Sequence, residues 1–323
     1  MRNDSNIKIS IVVPVYNVEI YVEQCLRSLM NQTMQELEFI CMDDGSTDSS
    51  GVLLDRLAEV DSRIRVVHKP NSGYGDTMND GFELARGEYI GIVESDDFAE
   101  PDMYEKLYAI AIHNNADIVK CNFNTYNTDS GVKKLNDDLQ QIPYYEVVTE
   151  HPAMFVIPPA VWAGIYRREY LLKNDVRMLP TPGASFQDTG FAFKVMVCKP
   201  RLVTIPDGLL NYRIDNTNSS VRDTNKVFNI CDELYSIRSY IEAHNRRELM
   251  GFYERAKCLR YRWNLERLYG EPQKEFLNLM YNEFVQADCD GFLIRECWPE
   301  TEWNFVQQLI HHYDLFKKEY LKK

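Results

Sequence analysis

Basic residues are in short supply in this chain of 323 residues: 36 Lys and Arg stand against 49 Asp and Glu, a formal net charge of −13 at pH 7. Proteins that grip nucleic acid through its phosphates normally show a basic face, so that class of partner is set aside. Long apolar runs are missing too. No stretch approaches the ~20 residues of a membrane-spanning helix, and Met1 to Lys8 lacks the apolar segment of a secretory leader. The eight cysteines (25, 41, 121, 198, 231, 258, 289 and 297) contain no Cys-x-x-Cys pair, which argues against a zinc site. Several sit inside apolar runs, where a reduced thiol behaves as a small hydrophobe. A reducing, cytoplasmic location is expected.

What is present reads as an ordinary soluble composition, 45% hydrophobic and 26% charged. The length suits one large domain with an appendage, or two domains. Residues 7–124 alternate apolar runs with helical stripes. Ile7 to Val15 is short, apolar and β-branched, as a buried strand should be. Val22, Cys25, Leu26, Leu29 and Met30 then mark one face of a helix. The pattern repeats with strands at Leu37–Met42, Ile64–Val67, Tyr89–Val93 and Asp117–Phe123. Repeated βα units imply a mostly parallel sheet with right-handed crossovers. Residues 125–150 are polar and turn-rich, an insertion or a hairpin, and from about Thr224 the chain is helical and aromatic-rich.

Ligands of such sheets bind beyond the carboxyl ends of the strands. Polar groups crowd four of those ends: Pro14-Tyr16-Asn17, Asp43-Asp44, Lys69-Asn71 and Glu94-Asp96-Asp97. The last cluster sets three carboxylates where a buried strand surfaces, and such a cluster usually needs a cation. Oxygen ligands suit Mg²⁺ or Mn²⁺, which take one or two carboxylates plus substrate phosphates, so a diphosphate-bearing substrate is expected. The competing reading is an acidic turn before a helix starting near Pro101-Asp102.

Ile9–Asn17 (ISIVVPVYN), Met42–Asp48 (MDDGSTD), Gly87-Glu88-Tyr89-Ile90 and Glu94-Ser95-Asp96-Asp97 resemble the inverting family-2 glycosyltransferases of GT-A fold. The resemblance covers roughly residues 7–222. It implies a GT-A domain over 1–222, with a nucleotide-sugar-binding half (1–124) and an acceptor half (125–222), followed by a helical region at 223–323. It also implies a nucleotide-sugar donor of UDP type, a divalent metal (Mn²⁺ or Mg²⁺) and inversion at the anomeric carbon. Carried onto this chain, Pro14, Tyr16 and Asn17 would contact base and ribose, and Asp44 would accept a hydrogen bond from the uracil ring. Asp96 would serve ribose and metal, Asp97 the metal, and Glu94, standing where an Asp is usual, the metal's outer shell. Asp188, in Phe186-Gln187-Asp188, matches the catalytic base, although Gln187 replaces the usual Glu. A helix N-cap is the competing role for Asp188.

The glycine loop Asn71–Gly81 departs from the family at Thr77-Met78-Asn79, where Ala-Arg-Asn is common, and Lys69 with Gly73 would take part of the donor contacts. Arg213, in Tyr212-Arg213-Ile214-Asp215 with Ser219-Ser220, would clamp a phosphate or serve as an ordinary strand-end cation. Trp162 would stack on a sugar or pack in the core. His68 and His151 are expected to be structural. The acceptor is expected to be a saccharide or a lipid-linked one. Arg255, Arg260, Arg262, Trp263 and Arg267 would then face anionic lipid, a second copy of the chain, or the interior. The alternatives are a non-catalytic nucleotide-sugar-binding subunit and, more distantly, a sugar-phosphate nucleotidyltransferase, which would need a basic, glycine-rich first loop where Val13-Pro14-Val15-Tyr16-Asn17 is neither.

Overall fold

The computed structural model describes residues 7–216 and 228–321. They divide into two compact units, one of residues 7–151 and 158–216, the other of residues 152–157 and 228–321. The boundary expected between 222 and 223, and the Ser219-Ser220 pair, lie outside the described residues.

The first unit opens with β1 (Ile9–Val15), α1 (Val22–Met30), β2 (Leu37–Asp43), α2 (Ser50–Val60), β3 (Ile64–His68), α3 (Tyr74–Leu84) and β4 (Tyr89–Ile92). Its strands run parallel in the order β3-β2-β1-β4. Every residue of β1, β2 and β4 is buried, which is why these strands read as continuous apolar runs rather than alternations. The register sets Val15, Asp43 and His68 level with one another, whereas β4 stops opposite Val12. Pro14 therefore lies past the end of β4, where its missing N–H costs no ladder bond.

After β4 the chain turns through Glu94–Asp97, closed by the Asp97 N–H donating to the Glu94 carbonyl at 3.0 Å. There follow β5 (Phe98–Ala99), α4 (Met103–His113), β6 (Ile118–Tyr126), β7 (Lys133–Asn136), β8 (Gly164–Arg167), α5 (Arg168–Lys173), α6 (Gln187–Val197) and β9 (Leu202–Arg213). β8 enters antiparallel between β4 and β6. β9 runs parallel to β6 and antiparallel to β5. The polar 125–150 segment contains a hairpin, β6 paired with β7. The two-residue β5 is too short to announce itself in sequence. It matters because it ties the acidic turn to β9, with Phe98 opposite Asn211.

Gly87 shows why the Gly-Glu-Tyr-Ile segment is built as it is. Its N–H donates to the Ser10 hydroxyl at 2.7 Å, and a Cβ there would sit 2.6 Å from the Ser10 nitrogen. Glycine is required by a close approach of backbone to β1, with no chemistry involved.

The second unit holds α7 (Asn229–Ala243), α8 (Met250–Glu266), α9 (Gly270–Cys289), α10 (Glu300–His311) and α11 (Tyr313–Tyr320). Phe276, Leu277, Met280 and Phe284 of α9 are buried, and Tyr261 of α8 meets Phe276 edge-on at 5.1 Å. Its arginines are largely occupied within the unit. Arg255 pairs with Glu302 at 2.6 Å, Arg260 donates to the Ile157 carbonyl at 2.8 Å, and Arg262 pairs with Glu266 at 3.0 Å. Arg267 lies 4.3 Å over the ring of Trp263. Arg255 and Arg260 are thus tied into the unit, while Arg262 and Trp263 stay exposed at its surface. No helix among the described residues is long and apolar enough to cross a membrane.

Candidate active site

Asp43 and Asp44 end β2 but face different tasks. Asp43 accepts from the Ser46 N–H at 3.0 Å and from the His68 ring at 2.7 Å, while His68 also meets Asp55 at 3.2 Å. Burial opposes ionisation of Asp43, but the Ser46 and His68 hydrogen bonds outweigh it and hold the group below the ordinary carboxylate range. The hydrogen bond to Asp43, then that to Asp55, pushes His68 above its usual value. A raised histidine stabilises below its unfolded pKa and loses that contribution as pH climbs through its folded one. Melting temperature should therefore fall as pH rises above ~6.5, and His68→Gln should flatten that part of the profile in a thermal-shift series.

Asp44 organises the glycine loop. Its Oδ1 accepts from the Ser72 N–H at 2.8 Å, and its Oδ2 from the Gly73 N–H at 3.0 Å. Gly73 adopts φ +94°, and a Cβ on it would lie 2.7 Å from the Thr181 carbonyl. At Gly75 the added atom would be 2.0 Å from the Leu179 carbonyl. The glycines therefore let the start of α3 press against the 179–183 turn. Next to this loop, Tyr16 is half exposed at the end of β1.

Asn17, at φ 53°, uses its side-chain oxygen to accept from the Thr47 N–H at 2.7 Å. It joins the loops after β1 and β2, and Pro14 is buried in β1, so of the three residues expected on base and ribose only Tyr16 stands exposed. Lys69 has protein partners of its own. It ion-pairs with Asp76 at 3.1 Å and with Asp80 of α3, so its charge is already neutralised. Lys69→Met should leave donor KM within about twofold and cost at most about 1 kcal/mol, read by steady-state kinetics and by denaturant unfolding.

The acids converge from two distant segments. Glu94 accepts from the Tyr74 hydroxyl at 2.6 Å. Burial raises Glu94 to about 8, partly offset by that hydrogen bond and reinforced by the charges of Asp96 and Asp188. Asp188, 94 positions further on, thus belongs to the same group of charges. It lies in the first turn of α6 and accepts from the Thr189 N–H at 2.7 Å. The cap position itself is held by Phe186, at φ 66°, so the expected capping role is displaced by two residues. A helix N-terminus favours the ionised carboxylate.

Asp96 and Asp97 differ sharply. Asp97 is 1% exposed; its Oδ1 accepts from the Arg213 N–H at 2.8 Å, and its Oδ2 is buried with no hydrogen-bond donor. Desolvation, then the charge of Asp96, pushes it well above the usual range. Asp96 is half-buried and accepts from Asn216 at 2.8 Å. Among the described residues no three His, Cys, Asp or Glu side chains gather as a metal-holding group. A hard cation that takes one or two carboxylates plus diphosphate oxygens and water does not require one, and the donorless oxygen of Asp97 suits a nearby positive charge.

Arg213 is held at the end of β9 by several partners. Its guanidinium, in a residue 3% exposed, donates to the Asp96 carbonyl at 2.8 Å, to Gln24 at 2.6 Å and to the Thr128 hydroxyl. It lies between Tyr21 and Tyr126, 4.7 and 5.2 Å from their ring centroids. Those partners engage three of its five N–H donors, one on each guanidinium nitrogen. Trp162 stacks on Tyr212 at 5.2 Å and meets Phe123 edge-on at 4.6 Å, so packing is its visible role. Tyr212, named in the sequence only as part of the segment around Arg213, was given no role of its own. Desolvation, then the charges of Asp97, Asp96, Asp188 and Glu94, raises its phenol to about 12. Tyr74 and Asn216 were passed over as well, because an isolated Tyr or Asn carries no motif.

Residues 10–185 match the family described as glycosyl transferase family 2. The chain belongs to that family. Its relatives include the glycosyltransferase EpsH of Bacillus subtilis, named as putative, at 32% identity over 247 residues, 74% of this chain and 71% of EpsH. Among solved structures, a residue 1–349 fragment of S. aureus TarS with UDP-GlcNAc matches at TM-score 0.74 and 18% identity, over 96% of this chain and 92% of that one. The mannosyltransferase PcManGT of Pyrobaculum calidifontis, with GDP-Man and Mn²⁺, matches at TM-score 0.53 and 15% identity, over 96% and 88%. At these identities the likeness is one of fold. It is the GT-A α/β fold, and this family-2 member is accordingly a glycosyltransferase.

Proposed function

We propose that the chain is a metal-dependent, inverting glycosyltransferase that moves a sugar from a UDP-sugar to an acceptor hydroxyl. Assembly of a cell-surface polysaccharide or glycolipid, on the cytoplasmic side of the membrane, is the setting we assign to it. The observation that supports this reading is that Asp188 on α6 is near enough to Glu94 for their charges to interact, and that Tyr212 feels the charges of Asp97, Asp96, Asp188 and Glu94 together. The UDP-GlcNAc of the TarS structure and the Mn²⁺ of the mannosyltransferase structure agree with it.

In this reading Tyr16 lies against the base and Asp44 keeps the loop beside it in shape, with lone pairs left for the uracil N–H. Half-buried Asp96 and the donorless oxygen of Asp97 would hold the cation, while the other Asp97 oxygen fixes the turn through the Arg213 N–H. A bound cation would offset charge on the departing nucleoside diphosphate. Asp188 removes the proton from the acceptor hydroxyl while that oxygen attacks the anomeric carbon, and the bond to the diphosphate oxygen breaks on the opposite face. The Gln187 departure does not argue for lost catalysis, because the amide makes hydrogen bonds as a donor that a carboxylate could not make.

Binding to the folded state raises stability in proportion to the logarithm of ligand excess. A panel of UDP-glucose, UDP-galactose, UDP-N-acetylglucosamine and GDP-mannose, each with and without Mn²⁺, should raise the melting temperature most for one UDP-sugar with metal. Equal shifts with and without Mn²⁺ would remove the metal from the proposal, and no shift for any UDP compound would remove the donor.

A further inference from the structure

Tyr74 occupies a junction that neither the family motif nor the proposed chemistry accounts for. It is the first residue of α3 and donates two hydrogen bonds to different segments of the chain. Its hydroxyl donates to Glu94 at 2.6 Å, and its backbone N–H donates to the Gly183 carbonyl at 3.0 Å. The residue before it, Gly73, is held by the Asp44 carboxylate. The Gly183 carbonyl in turn accepts from the Gln187 amide at 3.2 Å, and that amide also donates to the Thr181 hydroxyl at 2.8 Å. Gln187 is 1% exposed, and its side-chain oxygen accepts from the Ser185 N–H at 2.5 Å. The next residue is Asp188. An unbroken series of hydrogen bonds and peptide links thus joins Asp44 at the end of β2, Glu94 after β4, and the first turn of α6.

Resting on the active-site assignment above, we propose that Tyr74 and Gln187 are positioning residues that set Asp188 and Glu94 against each other once the nucleotide end is held at Asp44. Two sequence departures then share one cause. Glu at position 94 carries the extra methylene, and the oxygen it extends is the one the Tyr74 phenol meets. Gln at position 187 supplies an N–H₂ donor to the Thr181 hydroxyl and the Gly183 carbonyl; a Glu could still accept from the hydroxyl but would be repelled by the carbonyl. Neither residue touches the reacting atoms, so their effect is on placement. A misplacement of about 1 Å can cost a rate on the order of 100-fold.

The test uses the full chain with Mn²⁺ and whichever nucleotide-sugar of the panel the wild type hydrolyses fastest, read as nucleoside diphosphate release. Tyr74→Phe removes one hydroxyl and should lower kcat about 10- to 100-fold with donor KM within about twofold. Glu94→Asp withdraws the carboxylate from the phenol. If the two residues act as a pair, Tyr74→Phe with Glu94→Asp should lose no more than the worse single variant. Gln187→Glu should lower kcat in the same way, and Gln187→Met, which neither donates nor repels, should fall between it and wild type. Tyr74→Phe retaining full kcat while Asp188→Asn loses it overturns this inference and leaves the active-site assignment standing. Additive losses in the double variant, or a loss confined to KM, overturn it too. Asp188→Asn with undiminished turnover overturns both.

Discussion

Asp188→Asn should lower sugar transfer by about 10²–10⁴-fold, the usual worth of a positioned general base, with little change in melting temperature. The asparagine oxygen can still accept from the Thr189 N–H that Asp188 holds at 2.7 Å, so the first turn of α6 keeps its local bond. What disappears is the basic oxygen that takes the acceptor proton. The same substitution removes one of the charges that raise Glu94, so any pH-dependent step governed by Glu94 should move to lower pH. Thermal stabilisation by UDP with Mn²⁺ should survive, because Asp44 and Asp96 are untouched. Initial-rate kinetics and a nucleotide thermal-shift titration on the same preparation separate these effects. Undiminished transfer would mean that the base lies elsewhere.

The parallel half of the sheet was legible because its strands are buried on both faces and its polar residues collect at one end. Burial writes β1, β2 and β4 as apolar runs, and the strand ends carry Asp43, Asp44 and the Glu94–Asp97 turn. The mixed half was harder. β5 has two residues, and β8 is a four-residue strand inserted antiparallel between β4 and β6, an order that no local pattern encodes. The 152–157 segment, which packs with the helical unit, gives no sign of that in its composition.

The candidate acids stood out because a buried acid is expensive and therefore conspicuous. What a cation pairs with is not conspicuous in the same way. Lys69 and Arg213 looked like unclaimed cations, yet Asp76 and Asp80 claim the first, and a backbone carbonyl, two side chains and two rings claim the second. Charge was readable from the sequence. The partner that satisfies it depends on contacts between positions as far apart as Gln24 and Arg213.

That distinction makes Arg213→Met the second large effect, and one on stability rather than on donor affinity. The guanidinium is desolvated between Tyr21 and Tyr126, where a cation–π contact is worth about 2 kcal/mol, and its hydrogen bonds come from a charged donor, each worth about 1.5–3 kcal/mol. Gln24 and Thr128 are exposed enough to turn to water, so part of that sum is recovered. The Asp96 carbonyl and the buried Asp97 carboxyl, whose ionisation Arg213 favours, have less recourse. A loss of about 3 kcal/mol is expected, which at roughly 2–4 °C per kcal/mol is a clear drop in melting temperature. Arg213→Lys should recover little, since one ammonium cannot reach three acceptors set around a planar fork. A phosphate clamp predicts the opposite pattern: near-native melting and a donor KM raised at least tenfold. Finding that pattern would return Arg213 to the diphosphate and unseat its role as the strut that fixes the acidic turn to β9.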